Sequence, residues 1–239
     1  LGLGRVNVSN QVVQRDRHAE YLLLLALISS TLDKIATEIR NLQRTEIDEV
    51  REAFDVSKQV GSSTMPHKRN PELCERVSGL SRVVRAYTVP ALENVPLWHE
   101  RDLSNSSCER VIIPEATILL DYMLSLTIQT LQRLEIVPGS IARNLGLTKG
   151  RIMAEAVMVH LVEKGLGRQE AHELLRKCSI EAEAKGKHLK EVLLSNDVVL
   201  RYLSPVEVEK LMDPSCYIGT AEEQVKKLLE EVYTKEKPG

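Results

Sequence analysis

Leu25-Ala26-Leu27-Ile28-Ser29-Ser30-Thr31-Leu32-Asp33-Lys34-Ile35-Ala36-Thr37-Glu38-Ile39-Arg40-Asn41-Leu42 carries an apolar residue every three or four positions, at Leu25, Ile28, Leu32, Ile35, Ile39 and Leu42. That period is the stripe of a helix packed against other helices, and neither proline nor glycine interrupts it. The pattern predicts one long helix from position 15 to about 52. Downstream, Leu73, Val77, Leu80 and Val84 share one face of a second helix that starts after Pro71 and stops or kinks near Pro90. A third runs from about 107 to 134 on Ile118, Tyr122, Leu126 and Leu134, with Pro114 bending its first turns. Beyond Pro138-Gly139, shorter helices are expected at 149–164, 168–185, 187–194, 205–212 and 220–234. Gly165 and Gly167 separate the first two, and Thr220 is placed to N-cap the last, with Glu222 and Glu223 in its first turn. The expected fold is all-α: a long-helix bundle over 1–138, followed by a smaller helical domain over 139–239.

Composition supports this reading. Aromatic residues are only 3% of the 239, while 43% apolar and 28% charged side chains suit a soluble globular chain built of helices. Lys plus Arg total 32 against 34 Asp plus Glu, a net charge of −2, so no general attraction to nucleic acid or an anionic membrane follows. The longest strongly apolar stretch, 21–28, is eight residues, against the roughly 20 of a spanning helix, so no membrane association is expected. Cys74, Cys108, Cys178 and Cys216 are too scattered for a metal site and the start does not read as a signal peptide, which implies reduced cysteines in a cytoplasmic protein. In that setting the Asn-x-Ser matches at Asn7 and Asn105 lose their meaning as glycosylation sites. His99-Glu100 lacks zinc spacing, and Gly2 and Gly4 lack the third glycine of a dinucleotide loop, so neither metal nor cofactor is expected.

One segment breaks the helical texture: Gly61-Ser62-Ser63-Thr64-Met65-Pro66-His67-Lys68-Arg69-Asn70-Pro71. Hydroxyls, an amide and a lysine on a loop between two long helices are what an anionic ligand needs, although a polar connection could also be only a connection. The complete string resembles the signature loop of the fumarase, aspartase and argininosuccinate lyase superfamily. With 11–18 (Gln-Val-Val-Gln-Arg-Asp-Arg-His) and 98–110 (Trp-His-Glu-Arg-Asp-Leu-Ser-Asn-Ser-Ser-Cys-Glu-Arg), the likeness narrows to the adenylosuccinate lyase family and extends over essentially the whole chain.

The resemblance implies a C–N bond cleavage that releases fumarate by β-elimination, from adenylosuccinate or from a succinyl-carboxamide ribotide. Ser62 matches the family's catalytic base, while Ser63, Lys68 and Asn70 match contacts to the succinyl group. Arg76 resembles a substrate-binding arginine and could equally be a surface helical charge. Arg101, Ser106 and Arg110 match nucleotide-binding positions, the last two at the 5′-phosphate. Ser106 and Arg110 are also four apart, so at a helix start they share a face toward which the first free N–H groups point. Gln11 matches a glutamine that contacts the base or carboxamide. His67 stays open between contact and spacer, and His18 reads as an ion-paired anchor of a helix start.

The resemblance further implies a homotetramer whose active sites gather residues from several subunits, and a general-acid histidine in a segment upstream of these residues. On that basis the chain alone should be inactive. A carboxymuconate cycloisomerase of the same superfamily, whose substrate has no phosphate, is the nearest rival. A non-catalytic helical oligomerisation scaffold is the rival from another class.

Overall fold

The structure, a computed structural model, describes residues 2, 4–9, 11–53, 69–99 and 101–235. It divides into two compact units, Leu1–Ile141 and Ala142–Gly239.

In the first unit, α1 (Asp16–Leu42), α2 (Glu72–Ala86) and α4 (Ser104–Gln132) supply the core. Leu22, Leu25, Leu32 and Ile39 of α1 pack with Val77 and Val84 of α2 and with Ile112, Ala116, Leu120, Met123 and Leu126 of α4. The stripe read from the sequence is therefore the buried seam, with Ile28 and Ile35 partly buried at its margins. The same helices carry apolar residues outward as well: Leu23, Leu24 and Leu27 on α1, and Ile118, Ile128 and Leu131 on α4, are exposed.

Several boundaries differ from expectation. Helix α1 ends at Leu42, ten residues before position 52, because Asp48 turns the chain with φ 53° and delivers β1 (Val50–Arg51) to β2 (Glu135–Ile136). The two strands pair antiparallel, Val50 opposite Ile136 and Arg51 opposite Glu135, a contact that local periodicity cannot announce. Asp48 braces the turn by accepting from Arg51 Nε and Nη2, both at 2.7 Å, and from the Ser140 hydroxyl at 3.2 Å.

Helix α2 breaks at Tyr87 rather than at Pro90. Pro90 is the third residue of α3 (Thr88–Glu93), where a missing N–H sacrifices no intrahelical bond. Helix α4 starts at Ser104, earlier than expected, and runs without interruption through Pro114. Over an 18-residue window its mean hydropathy reaches 1.6, so by length and composition it could cross a membrane. The search for unbroken apolar runs missed this because Thr117, Asp121 and Thr127 divide them. Its buried face packs on α1 and α2, as a bundle's core helix does.

Helix α5 (Pro138–Gly146) begins at the proline read as a boundary, and the first unit ends within it, at Ile141. In the second unit α6 (Ala154–Glu163), α7 (Arg168–Ala184), α8 (Leu189–Leu194), α9 (Asp197–Tyr202) and α10 (Pro205–Leu211) close around Val157, Leu161, Leu175, Leu189, Leu193, Val199 and Val208. The six residues of α9 are a helix that the sequence reading does not include. Asn196 caps that helix by accepting from Val198 N–H at 3.0 Å and Val199 N–H at 3.2 Å. Helix α11 (Ala221–Lys235) follows, and the described side chains from 221 to 234 are all exposed. The Thr220 hydroxyl expected to cap it accepts from the Gln224 side chain at 2.7 Å, while its carbonyl takes the Gln224 N–H at 2.9 Å.

Two local devices in this unit lead to measurable outcomes. Gly150 has φ 81° and backs onto His188, whose Nδ1 accepts from Lys190 N–H at 3.2 Å and so caps α8. A methyl group at position 150 would meet the His188 ring and come within 2.7 Å of Met212 Cε. Gly150→Ala should therefore cost about 1–3 kcal/mol from backbone strain alone, read as a lowered urea midpoint at unchanged slope.

Glu207 closes a capping box on Ser204 and accepts from Lys164 Nζ at 2.8 Å. The Lys164 bond, aided by the Ser204 donors, pulls the Glu207 carboxyl from an ordinary 4.5 down to about 2. The folded state then binds fewer protons than the unfolded state, so this stability is present above the unfolded value and is lost as pH falls from 4.5 through about 2. Acid unfolding of Glu207→Gln should show a shallower pH dependence across that window than the unsubstituted protein.

Candidate substrate-binding cavity

An open cavity of about 840 Å³ lies where residues 11–15 pass the start of α4. Gln11, Arg101, Ser106 and Arg110 all line it, so four residues singled out in the sequence meet at one place. The helical period explains the α4 wall. Ser106, Arg110, Ile113 and Pro114 stand at i, i+4, i+7 and i+8, which is one stripe of a helix, while Ile112, Ala116 and Leu120 turn into the core. Pro114 also has no N–H to give the Arg110 carbonyl, so that oxygen loses its usual intrahelical donor beside the cavity.

The helix start is not arranged as expected. Asp102, rather than a ligand, takes the first-turn donors: its carboxylate accepts from the Ser104 N–H at 2.8 Å, from the Ser104 hydroxyl and from Trp98 N–H at 2.8 Å. The Ser106 N–H already donates to Leu103 O at 3.1 Å. The Ser104 hydroxyl first, then the backbone donors, hold the Asp102 carboxyl below its usual range. What the helix offers a ligand here is the Ser106 hydroxyl and the Arg110 guanidinium.

Three further lining residues went unnoticed in the sequence as parts of a site: Arg15, Asn105 and Glu109. Arg15 Nε lies 2.9 Å from Glu109 Oε1, with side-chain exposures of 13% and 15%, and Asn105 Nδ2 donates to Glu109 Oε2 at 3.2 Å. The i, i+4 spacing of Asn105 and Glu109 is a signal in the sequence, but their partner Arg15 stands just before α1 and is brought there only by the fold. Arg15 takes the anchoring role assigned to His18, which forms no ion pair among the described residues. The carboxylates of the cavity are thus engaged by protein donors, whereas Arg101 and Arg110 have no ion-pair partner among the described residues. The wall is cationic and fits a phosphate or carboxylate ligand.

Of the other proposed site residues, only Asn70 and Arg76 are described, and neither lines the cavity. Ser62, Ser63, Lys68 and His67 fall outside the described residues. Asn70 is exposed just before α2, its carbonyl accepting from Glu72 N–H at 2.9 Å. Arg76 donates to Tyr122 OH at 2.8 Å and to Glu72 Oε1 at 2.6 Å, and these two bonds, Tyr122 first, raise its pKa further. Ser106 and Tyr122 are separated by about 24 Å along α4 at 1.5 Å per residue. The nearer lining residue Pro114 stands about 12 Å from Tyr122 on the same count. Among the described residues no group of His, Cys, Asp and Glu could hold a metal ion.

Residues 1–86 match the family model described as "Lyase", and residues 150–228 match the one described as "Adenylosuccinate lyase C-terminus". The chain is 56% identical over 231 residues to the adenylosuccinate lyase of Methanothermobacter thermautotrophicus, covering 97% of this chain and 51% of that protein. It is 54% identical to the enzyme of Pyrococcus abyssi, covering 100% of this chain and 53% of the relative. Among solved structures, the 3-carboxy-cis,cis-muconate lactonizing enzyme from Pseudomonas putida aligns with a TM-score of 0.82 at 35% identity, over 91% of this chain and 48% of that one. The chain spans about half the length of the curated relatives it matches, and over that span, by sequence identity and by the family model matched at residues 150–228, it belongs to the adenylosuccinate lyase family.

Proposed function

We propose that the protein to which this chain belongs cleaves the C–N bond of adenylosuccinate, and of the related succinyl-carboxamide ribotide, by β-elimination of fumarate. The observation that carries the reading is the convergence of Gln11, Arg101, Ser106 and Arg110 on one cationic cavity. In this reading Ser106 and Arg110 bind the 5′-phosphate, Arg101 the nucleotide, and Gln11 the base or carboxamide. Ser62 removes the Cβ proton of the succinyl group, and the electron pair left behind is delocalised into the adjoining carboxylate. Ser63, Lys68 and Asn70 meet that growing charge, and Arg76 is a substrate-binding arginine. The C–N electron pair then departs to nitrogen, which takes a proton from an acid outside this chain, and fumarate is released.

A site of this kind is shared. Resemblance to the adenylosuccinate lyase family supports active sites assembled from different copies. The outward apolar residues of α1 and α4 supply surfaces on which copies could pack. We place the protein in the cytoplasm as a homotetramer, with residues 1–138 as the bundle that carries the signature loop and residues 139–239 as the C-terminal helical domain.

Fumarate release by the intact gene product is the deciding measurement. Ser62→Ala should lower kcat by about 10²–10⁴, the usual worth of a positioned base, with the fold intact by circular dichroism. Near-normal turnover in that variant would reject the assignment, and lactonisation of carboxymuconate in place of fumarate release would favour the cycloisomerase. Arg110→Ala should raise KM for the phosphorylated substrate about ten- to a hundredfold, as loss of a charge-assisted bond implies, and leave kcat within about threefold. An unchanged KM would remove Arg110 from the phosphate site.

A further inference from the structure

Glu109 stands beside both groups that α4 turns toward the cavity: Ser106 is three residues back on the same helix, and Arg110 is the next residue. An anion bound at Ser106 and Arg110 therefore has this carboxylate for a neighbour. The Glu109 side chain is only 15% exposed, so water screens the repulsion little. Released from its partners, the carboxylate would also compete with the ligand for the guanidinium groups of Arg101 and Arg110. A phosphate site tolerates such a group only if the group is held.

Two side chains hold it, and they supply different things. Asn105, buried and one turn back on α4, gives Glu109 Oε2 a neutral hydrogen bond at 3.2 Å. Arg15 gives charge, with its Nε 2.9 Å from Oε1. Arg15 is built into place for this. Its carbonyl accepts the His18 and Ala19 N–H groups at 3.0 and 2.9 Å, which fixes its backbone at the start of α1. Ala19 and Leu22, the next buried residues of that helix, pack in the same core as Ile112 and Ala116 of α4. The core that joins the two helices thus also brings a cation to the carboxylate.

We propose that Arg15 is a positioning residue of the anion site: it holds and neutralises Glu109 so that Arg101 and Arg110 stay open to the nucleotide phosphate, and it does not itself bind the ligand. This rests on the reading of Ser106 and Arg110 as the phosphate end of the site. The contrast among the three arginines carries the assignment. Arg15 is paired inside the wall, whereas Arg101 and Arg110 have no ion-pair partner among the described residues.

The test uses the intact gene product and inorganic phosphate at constant ionic strength, with binding read from the rise of Tm with phosphate concentration. Arg15→Gln leaves a carboxylate uncompensated in the wall and should weaken phosphate binding about tenfold. Adding Glu109→Gln to that variant should return binding to within about threefold of the unsubstituted protein, a recovery that a loss of fold or of a direct contact would not show. In turnover, Arg15→Gln should raise KM for adenylosuccinate by a similar factor and leave kcat within about threefold, the split expected of a group remote from the reacting bond.

Phosphate binding by folded Arg15→Gln within about twofold of the unsubstituted protein overturns the role. So does a double variant as weak as Arg15→Gln alone, which would make Arg15 a direct ligand of the anion. Should Arg15→Gln fail to fold, Glu109→Gln carries the decision: it leaves Arg15 unpaired in the wall, so phosphate should bind at least as tightly as before, and weaker binding overturns the proposal. Failure of the underlying reading looks different: no phosphate-dependent rise in Tm and no fumarate release by the unsubstituted protein.

Discussion

Helix α4 meets a hydrophobic core and a polar cavity with one backbone, and its 3.6-residue period decides which residue faces which. Ile112, Ala116, Leu120 and Met123 fill the seam with α1 and α2, and this packing sets the rotation of the helix. Once the rotation is set, Ser106, Arg110 and Ile113 can only look into the cavity. Burying an Ile, Leu or Met side chain is worth about 1.5–3 kcal/mol, so the several on this face together outweigh any single polar contact at the cavity. The core therefore fixes where the Arg110 backbone stands, while its exposed side chain keeps rotamer freedom that a ligand must restrict.

The electrostatics follow from the same division. A cavity with two carboxylates and three arginines would be close to neutral if all were free. Asp102 is consumed by backbone and hydroxyl donors at the helix start, and Glu109 by Arg15 and Asn105. The arginines without such partners among the described residues, Arg101 and Arg110, then set the sign of the wall. Glu52 shows the same economy elsewhere in the unit: a buried carboxylate is tolerable because the N–H groups at the start of α2 satisfy both of its oxygens.

What could be read in advance divides along physical lines. The seam residues of α1 and α2 are legible because burial imposes a period on each helix, but on α4 the stripe expected at Ile118, Tyr122, Leu126 and Leu134 is not the seam: Ile118 and Tyr122 are exposed, and Ile112, Ala116, Leu120 and Met123 fill it with Leu126, because α4 is apolar on more than one face. The shared face of Ser106 and Arg110 was legible from the helical period alone. Arg15 with Glu109, Val50 with Ile136, and Glu52 with Leu73 and Cys74 were not, since each joins segments whose proximity exists only after folding. The break at Tyr87 was missed differently: Pro90 was read as a helix stop, although in the first turn of α3 proline loses no hydrogen bond. The roles of Ser62, Ser63 and Lys68 came from resemblance alone and lie outside the described residues.

The placement of Arg76 constrains how such a site could work. Its guanidinium is committed to Tyr122 and Glu72, well along α4 from Ser106 and Arg110. A ligand that recruits this guanidinium competes with both of those bonds, whereas Arg101 and Arg110 have no ion-pair partner among the described residues and are engaged at smaller cost. The outward leucines and isoleucines of α1 and α4 are a separate feature, apolar surface that burial against another surface would stabilise.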